Sequence, residues 1–150
     1  MNEKTQQRKI MILIPCYKEG STIKNVASQA NQIKLGDVVV IDDGSKDNTA
    51  AEAKSALAHV ITHEHNKGKG AALVTGFSYA LENKYDAVIT LDGDGQHLPS
   101  EIINFVNVWN STNADIIVGN RMTNTKGMPL IRYITNKFMS WLLSMSLGQK

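Results

Sequence analysis

Ala87-Val88-Ile89-Thr90-Leu91-Asp92-Gly93-Asp94-Gly95-Gln96-His97-Leu98-Pro99 changes character halfway along its length. Its first half is apolar and β-branched, the composition of a buried strand. Its second half sets two carboxylates at i and i+2 among glycines. On a continuing strand such a pair faces one way, roughly 6–7 Å apart at the strand rise. A divalent cation between them offsets their repulsion, and a bound diphosphate completes its coordination. Gly93 and Gly95 let ligand and backbone approach each other. Gln96 adds a neutral oxygen, His97 an imidazole, and Pro99 suits the first turn of a helix. An EF-hand loop starting at Asp92 needs Gly at its sixth position and Glu at its twelfth. Here those are His97 and Ile103, which excludes it. The alternative is a polar strand-to-helix loop with solvated aspartates, and the rest of the chain has to separate the two.

Other segments repeat this form. Residues 10–15 are a continuous apolar run ending in Pro15, which predicts a central parallel strand opening into Cys16-Tyr17-Lys18-Glu19-Gly20. Ser21 or Thr22 is positioned to cap a helix carrying Ile23, Val26, Ala27, Ala30 and Ile33 on one face, with Gly36 as its terminator. Residues 38–41 predict a second strand, followed by the turn-rich Asp42-Asp43-Gly44-Ser45-Lys46-Asp47. Asp47 or Asn48 then caps a short alanine-rich helix over about 48–57. A third strand is expected at 59–62, then His63-Glu64-His65-Asn66-Lys67-Gly68-Lys69-Gly70 and a helix through Ala71, Leu73, Val74, Phe77 and Ala80. After the strand at 87–91 come a helix over about 100–109, a fifth strand at 115–118, and a last helix over about 130–146.

Strands alternating with helices predict an α/β sandwich around a mostly parallel sheet. Ligands of such sheets bind beyond the carboxyl ends of the strands. The polar, glycine-bearing clusters follow Pro15, Ile41, Thr62, Leu91 and Val118, so separate segments build one rim. Of Asp42 and Asp43, one is expected to accept loop amides and Asp43 to face a ligand, since an unpaired buried carboxylate is costly. Lys67-Gly68-Lys69-Gly70 places two cations at a helix start, which favours anions. It is neither a Walker A loop nor a G-x-G-x-x-G fingerprint. Arg121 and Arg132 are candidate phosphate clamps through their forked guanidinium groups. Hydrogen-bonding or packing roles are expected for His63 and His65, because an oxygen-rich acidic pair suits Mg²⁺ or Mn²⁺.

Composition limits the alternatives. The 150 residues are 42% hydrophobic and 20% charged, enough for one globular domain with a core. A net charge of +2 gives no reason to expect a nucleic-acid partner. The single cysteine, Cys16, reads as a buried thiol rather than a nucleophile and is compatible with a reducing compartment. Residues 1–9 hold no apolar core of a signal peptide, and no window is apolar enough for a membrane span. The expected location is cytoplasmic. The last helix places Ile131, Ile134, Phe138, Trp141, Leu142 and Met145 on one face. That face suits packing on the sheet or, with Arg132 and Lys137, peripheral contact at the cytoplasmic face of a membrane.

Taken together, these motifs resemble the family 2 glycosyltransferases of the GT-A fold. Within that family they are most similar to the branch of dolichyl-phosphate mannose synthases and bacterial polyprenyl-phosphate glycosyltransferases. The pieces that carry the resemblance are Ile14-Pro15-Cys16-Tyr17-Lys18-Glu19, Val40-Ile41-Asp42-Asp43-Gly44-Ser45-Lys46-Asp47, His63 with Asn66-Lys67-Gly68-Lys69-Gly70-Ala71-Ala72-Leu73, Leu91-Asp92-Gly93-Asp94-Gly95-Gln96-His97, Val118-Gly119-Asn120-Arg121, and Met128-Pro129 with Arg132, Asn136 and Lys137. The resemblance implies a three-layer nucleotide-diphospho-sugar transferase sandwich. Pro15, Tyr17, Glu19, Ile41 and Asp43 would hold base and ribose, joined in donor binding by Lys69 and Gly93. Asp92, Asp94 and Gln96 would hold Mg²⁺ or Mn²⁺, and Arg121 and Arg132 would meet phosphate at the reacting centre. Asp94, Arg121 and Arg132 are the expected catalytic residues.

The implied reaction is inverting sugar transfer from a UDP- or GDP-linked donor to a polyprenyl or dolichyl phosphate, in cell-envelope biosynthesis. A phosphate monoester is already anionic near neutral pH, so no strong general base is needed. Lys18 stands where the family usually has Asn, and Gly119-Asn120-Arg121 replaces Gly-Ser-Arg. Family members continue into a segment with a Gly-Phe-Arg motif on the acceptor side. The expectation is therefore one catalytic domain over 1–150, truncated at its C-terminus, with a catalytically silent nucleotide-sugar-binding module as the alternative. A sugar-phosphate nucleotidyltransferase ranks below both, because Pro15-Cys16-Tyr17-Lys18-Glu19 is neither glycine-rich nor strongly basic.

Overall fold

Strand β1, Ile10–Cys16, is buried at every position, because both of its faces and both of its edges are covered. The computed structural model describes residues 8–112 and 114–119. Two compact units divide the chain, Met1–Asp115 and Ile116–Lys150, and everything described below from the sheet to the cleft belongs to the first. Strand β2, Asp37–Asp42, pairs with β1 in parallel, and β3, His59–Thr62, pairs with β2. Strand β4, Ala87–Thr90, pairs in parallel with the other edge of β1, giving the order β3-β2-β1-β4. The central parallel strand expected at 10–15 is thus where the sequence put it, extended by one residue to Cys16.

Alternation of side chains along β1 divides the core into two layers. Ile10, Ile12 and Ile14 pack with Ile23, Val26 and Ala30 of α1 (Ile23–Ile33), Ala53 of α2 (Thr49–Ser55), and Ile102 and Val106 of α4 (Ile102–Thr112). Met11 and Leu13 pack on the other face with Val39, Ile41, and Ala72 and Ala80 of α3 (Lys69–Glu82). The result is the three-layer α/β sandwich expected, with helices on both faces of a parallel sheet. Helix α3 lies very close to the sheet at Gly76, where an added Cβ would come within 2.4 Å of Leu13 Cδ1. Its buried face is accordingly Ala72, Gly76 and Ala80, whereas Val74 and Phe77 of the same helix are exposed.

Several local expectations are corrected. Helix α1 ends at Lys34, in a left-handed conformation with φ 56°, not at Gly36. Gly36 is instead required for packing, since a Cβ there would meet the Ile10 carbonyl oxygen at 2.6 Å. Thr22 precedes α1 without making a side-chain cap, its hydroxyl being directed to the neighbouring loop. At α2, of the two residues expected to cap it, Asp47 does so, its Oδ1 accepting from the Thr49 amide at 3.1 Å, while the Asn48 side chain makes no cap. Pro99 does open the fourth helix, through a 3-10 turn, Pro99–Glu101. Residues 115–118, expected as a fifth strand, form none: they have no ladder partner among the described residues, and Ile116 and Val118 are exposed. A β-branched run lacking a hydrogen-bonded neighbour is only an extended segment. The helix expected over 130–146 lies outside the described residues.

Candidate functional site

Because β1, β2 and β4 run parallel, their carboxyl ends open at one edge of the sheet. The loops leaving those ends enclose a cleft of about 300 Å³. Pro15, Cys16, Tyr17 and Glu19 line it from the end of β1, and Asp43 from the end of β2. Asn66, Lys69 and Ala72 contribute from the loop into α3, and Asp92, Gly93 and Asp94 from beyond β4. Sequence-predicted residues 15, 17, 19, 43, 69, 92, 93 and 94 therefore meet in one place, although they come from four separate segments.

Asp43 is the best-held group of the rim. Its Oδ1 accepts from His63 Nδ1 at 2.7 Å and from the Lys67 amide at 2.9 Å, and its Oδ2 from the Gly68 amide at 2.7 Å. Burial by itself would push this carboxyl up. The amides of Lys67 and Gly68 and the His63 ring outweigh it, so Asp43 sits below the ordinary carboxylate value. Three donors on four lone-pair positions leave one acceptor site for a ligand. A carboxylate only accepts, so His63 Nδ1 carries a proton, and in the neutral ring Nε2 accepts from the Thr75 hydroxyl at 2.9 Å. Gly68 can present its amide this way because it takes φ 92°, a conformation that side chains resist. Asp42 has the lesser task, its Oδ1 accepting from the Ser45 amide at 3.1 Å. The division of labour expected of the two aspartates is thus modified: Asp43 takes more loop amides than Asp42 and still borders the cleft.

The loop after β1 is tied to the one after β2. The Glu19 amide donates to Thr49 Oγ1 at 2.9 Å and the Lys18 amide to Ser45 Oγ at 2.9 Å. Asp47, which also accepts from the Gly20 amide, lies below the ordinary carboxylate value chiefly because the Thr49 hydroxyl donates to it. Thr22 lies 2.8 Å from the Gly93 carbonyl oxygen and 3.0 Å from Glu19 Oε2. Having one proton, it can satisfy only one of them at a time, and it fastens the loop after β1 to the acidic turn.

That turn departs from the geometry assumed from spacing. Strand β4 stops at Thr90, so Asp92 and Asp94 sit on a turn and not on a continuing strand. Asp94 Oδ1 accepts from the Gln96 amide at 2.9 Å. Asp92 Oδ1 lies 2.6 Å from Lys69 Nζ, and its amide donates to His97 Nδ1 at 3.1 Å. The Gln96 side chain is exposed and does not line the cleft, while its backbone amide serves the turn. Ile41 is fully buried under α3 and supports the cleft from within the core, without a side chain available to a ligand. Burial pushes the Cys16 thiol up to about 12, which excludes it as a nucleophile near neutral pH. Arg121 and Arg132 lie outside the described residues.

The acidic turn fits a hard divalent cation. No group of three or more His, Cys, Asp or Glu converges among the described residues. Mg²⁺ is commonly held by one or two carboxylates, with substrate phosphates and water completing its shell. Asp92 and Asp94 border the same cleft, and Asp92 already holds a cationic group, the Lys69 ammonium. His63 takes the hydrogen-bonding role expected of it, and Asn66 and Thr22 join the cleft and its loops beyond the expected set. Asn66 stands directly before the basic loop Lys67-Gly68-Lys69-Gly70, a position legible in the sequence. Thr22 and Gly93 are far apart in the chain, and no local pattern connects them.

Residues 11–147 match the family model described as glycosyl transferase family 2. A UDP-N-acetylglucosamine–dolichyl-phosphate N-acetylglucosaminyltransferase of Methanococcus voltae is 32% identical, over 89% of this chain and 61% of its own length. An undecaprenyl-phosphate mannosyltransferase of Micrococcus luteus is 28% identical, over 89% of this chain and 56% of its own. The chain thus spans about three fifths of the length of these relatives. Among solved structures, a glucosyl-3-phosphoglycerate synthase of Mycobacterium tuberculosis in complex with Mn²⁺, UDP-glucose and phosphoglyceric acid superposes with a TM-score of 0.60. It is 26% identical and covers 70% of this chain and 40% of that one. Family model, relatives and fold agree with the motifs gathered at the cleft: the chain belongs to glycosyl transferase family 2.

Proposed function

We propose that this chain is the donor-binding, catalytic part of a metal-dependent, inverting glycosyltransferase. It transfers a sugar from a UDP- or GDP-linked donor to a polyprenyl or dolichyl phosphate at the cytoplasmic face of a membrane. The observation that carries this reading is the convergence of Glu19, Asp43, Lys69, Asp92 and Asp94 on one cleft at the strand ends. Its volume of about 300 Å³ is at the small end for a ligand site, suited to the nucleotide portion of a donor. A UDP-sugar and Mn²⁺ are bound by the Mycobacterium tuberculosis neighbour, and dolichyl and undecaprenyl phosphate are named for the relatives.

The residues divide the work by chemistry. Glu19 and the remaining lone pair of Asp43 offer acceptors to base N–H and ribose hydroxyl groups, and Tyr17, 40% exposed, offers a ring face. Lys69 and the amides at the start of α3 favour the diphosphate. Asp92 and Asp94 would hold Mg²⁺ or Mn²⁺, which stabilises negative charge growing on the leaving diphosphate. Arg121 and Arg132 are proposed to meet phosphate as well. The acceptor phosphate is itself the anionic nucleophile, so the chain needs only to orient it and exclude water. Among the described residues no helix is long and apolar enough to cross a membrane, which accords with peripheral attachment.

The test is calorimetric titration of UDP- and GDP-sugars with and without Mn²⁺, on the wild type and on Asp94→Ala. One donor class should bind only with Mn²⁺, and the variant should lose that binding. Unchanged binding by Asp94→Ala would remove the metal assignment. Transfer is then followed with polyprenyl phosphate in vesicles beside soluble phosphoglycerate. Transfer to the lipid alone supports the acceptor assignment, and transfer to phosphoglycerate alone overturns it. Donor binding with no turnover on either acceptor makes the chain a binding module.

A further inference from the structure

Lys69 and Asp92 both line the cleft, and their side chains meet at 2.6 Å. The lysine begins α3, and the aspartate stands just past β4. An ammonium group therefore rests on an oxygen that the acidic turn would otherwise present to a divalent cation. The other Asp92 oxygen faces His97 Nδ1 at 3.6 Å. That nitrogen accepts the Asp92 amide at 3.1 Å and so, in the neutral ring, has no proton to offer the carboxylate. Asp92 thus has one strong cationic partner among the described residues, and it is Lys69.

Two cations drawn to one carboxylate repel each other. A divalent ion has the larger charge, and the lysine pair is loosely held: the two side chains are 62% and 34% exposed. Exposed pairs of this kind contribute little. Lysine is also suited to leave, being a point charge on a flexible stem. Once free of Asp92, its ammonium stays at the start of α3, where the helix amides and dipole already favour an anion.

We infer that Lys69 is an exchangeable counter-ion: it neutralises Asp92 in the metal-free cleft, is displaced when Mg²⁺ or Mn²⁺ takes that carboxylate, and then pairs with the diphosphate of the donor. The inference rests on the donor and metal site proposed above. Its consequence is that one side chain acts with opposite sign on two ligands. It opposes the metal when the metal arrives alone, and it favours the nucleotide once the metal is in place. Metal and donor binding are thereby coupled, since the metal releases a group that the nucleotide uses.

The test titrates Mn²⁺ alone into the full chain, reading free Mn²⁺ by electron paramagnetic resonance, for the wild type, Lys69→Met, Lys69→Gln and Asp92→Asn. UDP and GDP are then titrated at saturating Mn²⁺. Both uncharged variants should bind Mn²⁺ about two- to fivefold tighter, the range expected for loss of an exposed pair. They should bind the nucleoside diphosphate at least tenfold more weakly, while Asp92→Asn loses Mn²⁺. Thermal melts establish that each variant is folded, and two variants at an exposed lysine guard against loss of one. If the lysine variants bind Mn²⁺ like the wild type while Asp92→Asn loses it, the exchange is wrong and the metal site stands. If Asp92→Asn binds Mn²⁺ like the wild type, the metal site fails and the exchange with it. Tighter Mn²⁺ with unchanged nucleotide affinity would refute the transfer of Lys69 to the diphosphate.

Discussion

Replacing Asp43 by Asn tests how the cleft is built, because the change removes one oxygen from a carboxylate that accepts three hydrogen bonds. The favoured orientation keeps an oxygen at Oδ1, facing His63 and Lys67, and turns the new NH₂ toward the Gly68 amide, donor against donor. One bond to a charged acceptor is lost, worth about 1.5–3 kcal/mol, and two others fall to neutral strength, losing about 1 kcal/mol each. Burying a neutral amide in place of a carboxylate returns part of this. The expected net destabilisation is about 2–4 kcal/mol near neutral pH, a large share of a typical domain's stability. Urea unfolding should show it as a midpoint lowered by roughly 1–3 M.

The pH dependence fixes the cause. Asp43 is held below its unfolded value of 3.8, so acid protonates it first in the unfolded chain. Its contribution is complete well above pH 3.8 and is lost as the pH falls through the folded-state value. The gap between wild type and Asp43→Asn should therefore be largest near neutrality and shrink below pH 3.8. Asp47 titrates in both proteins and cancels in the difference. A gap under about 0.5 kcal/mol, or one that is constant from pH 7 to pH 3, would refute this account of the loop.

Further outcomes follow from single positions. Lys18 takes φ 59°, where a Cβ is unfavourable, so Lys18→Gly should stabilise the chain by about 0.5–1 kcal/mol, and Lys18→Asn by less; a lowered melting temperature for both would contradict this. Gly76→Ala should gain about 1 kcal/mol of helix propensity and lose more by overpacking on the fully buried Leu13, for a net loss of about 1 kcal/mol. A double-mutant cycle with Leu13→Ala should return a coupling of at least about 1 kcal/mol. Cys16, with its thiol pushed up to about 12 by burial, should react with a disulfide reagent at pH 8 only as fast as the protein opens; rapid labelling of the folded chain would show the thiol to be accessible.

Local pattern made the strands legible. The runs at 10–15 and 38–41 are apolar because a parallel strand covered on both faces has no polar side to show, whereas the outer strands at 59–62 and 87–90 are only half-buried and end in polar residues. The helices followed from spacing, but their ends did not. Lys34 in place of Gly36, and the choice of Asp47 between the two expected caps, depend on which backbone groups the neighbouring loop leaves unsatisfied. The run at 115–118 shows the opposite failure: its composition suits a strand, yet strand formation needs a partner that composition does not specify.

Residue chemistry was likewise readable in advance, since carboxylates, lysines and glycines at the ends of apolar runs announce a rim. What each side chain does there was not. Ile41 turned inward because the parity of β2 sends it under α3, and Asp94 accepts the Gln96 amide because β4 stops before the acidic turn. Composition and periodicity, which act between near neighbours, fixed the elements and the edge of the sheet that carries the chemistry. The pairings of Thr22 with Gly93, Asp43 with Gly68 and Lys69 with Asp92 join residues well separated in the chain. They exist because strand order and register bring those loops within hydrogen-bond reach, and only the folded chain specifies that distance.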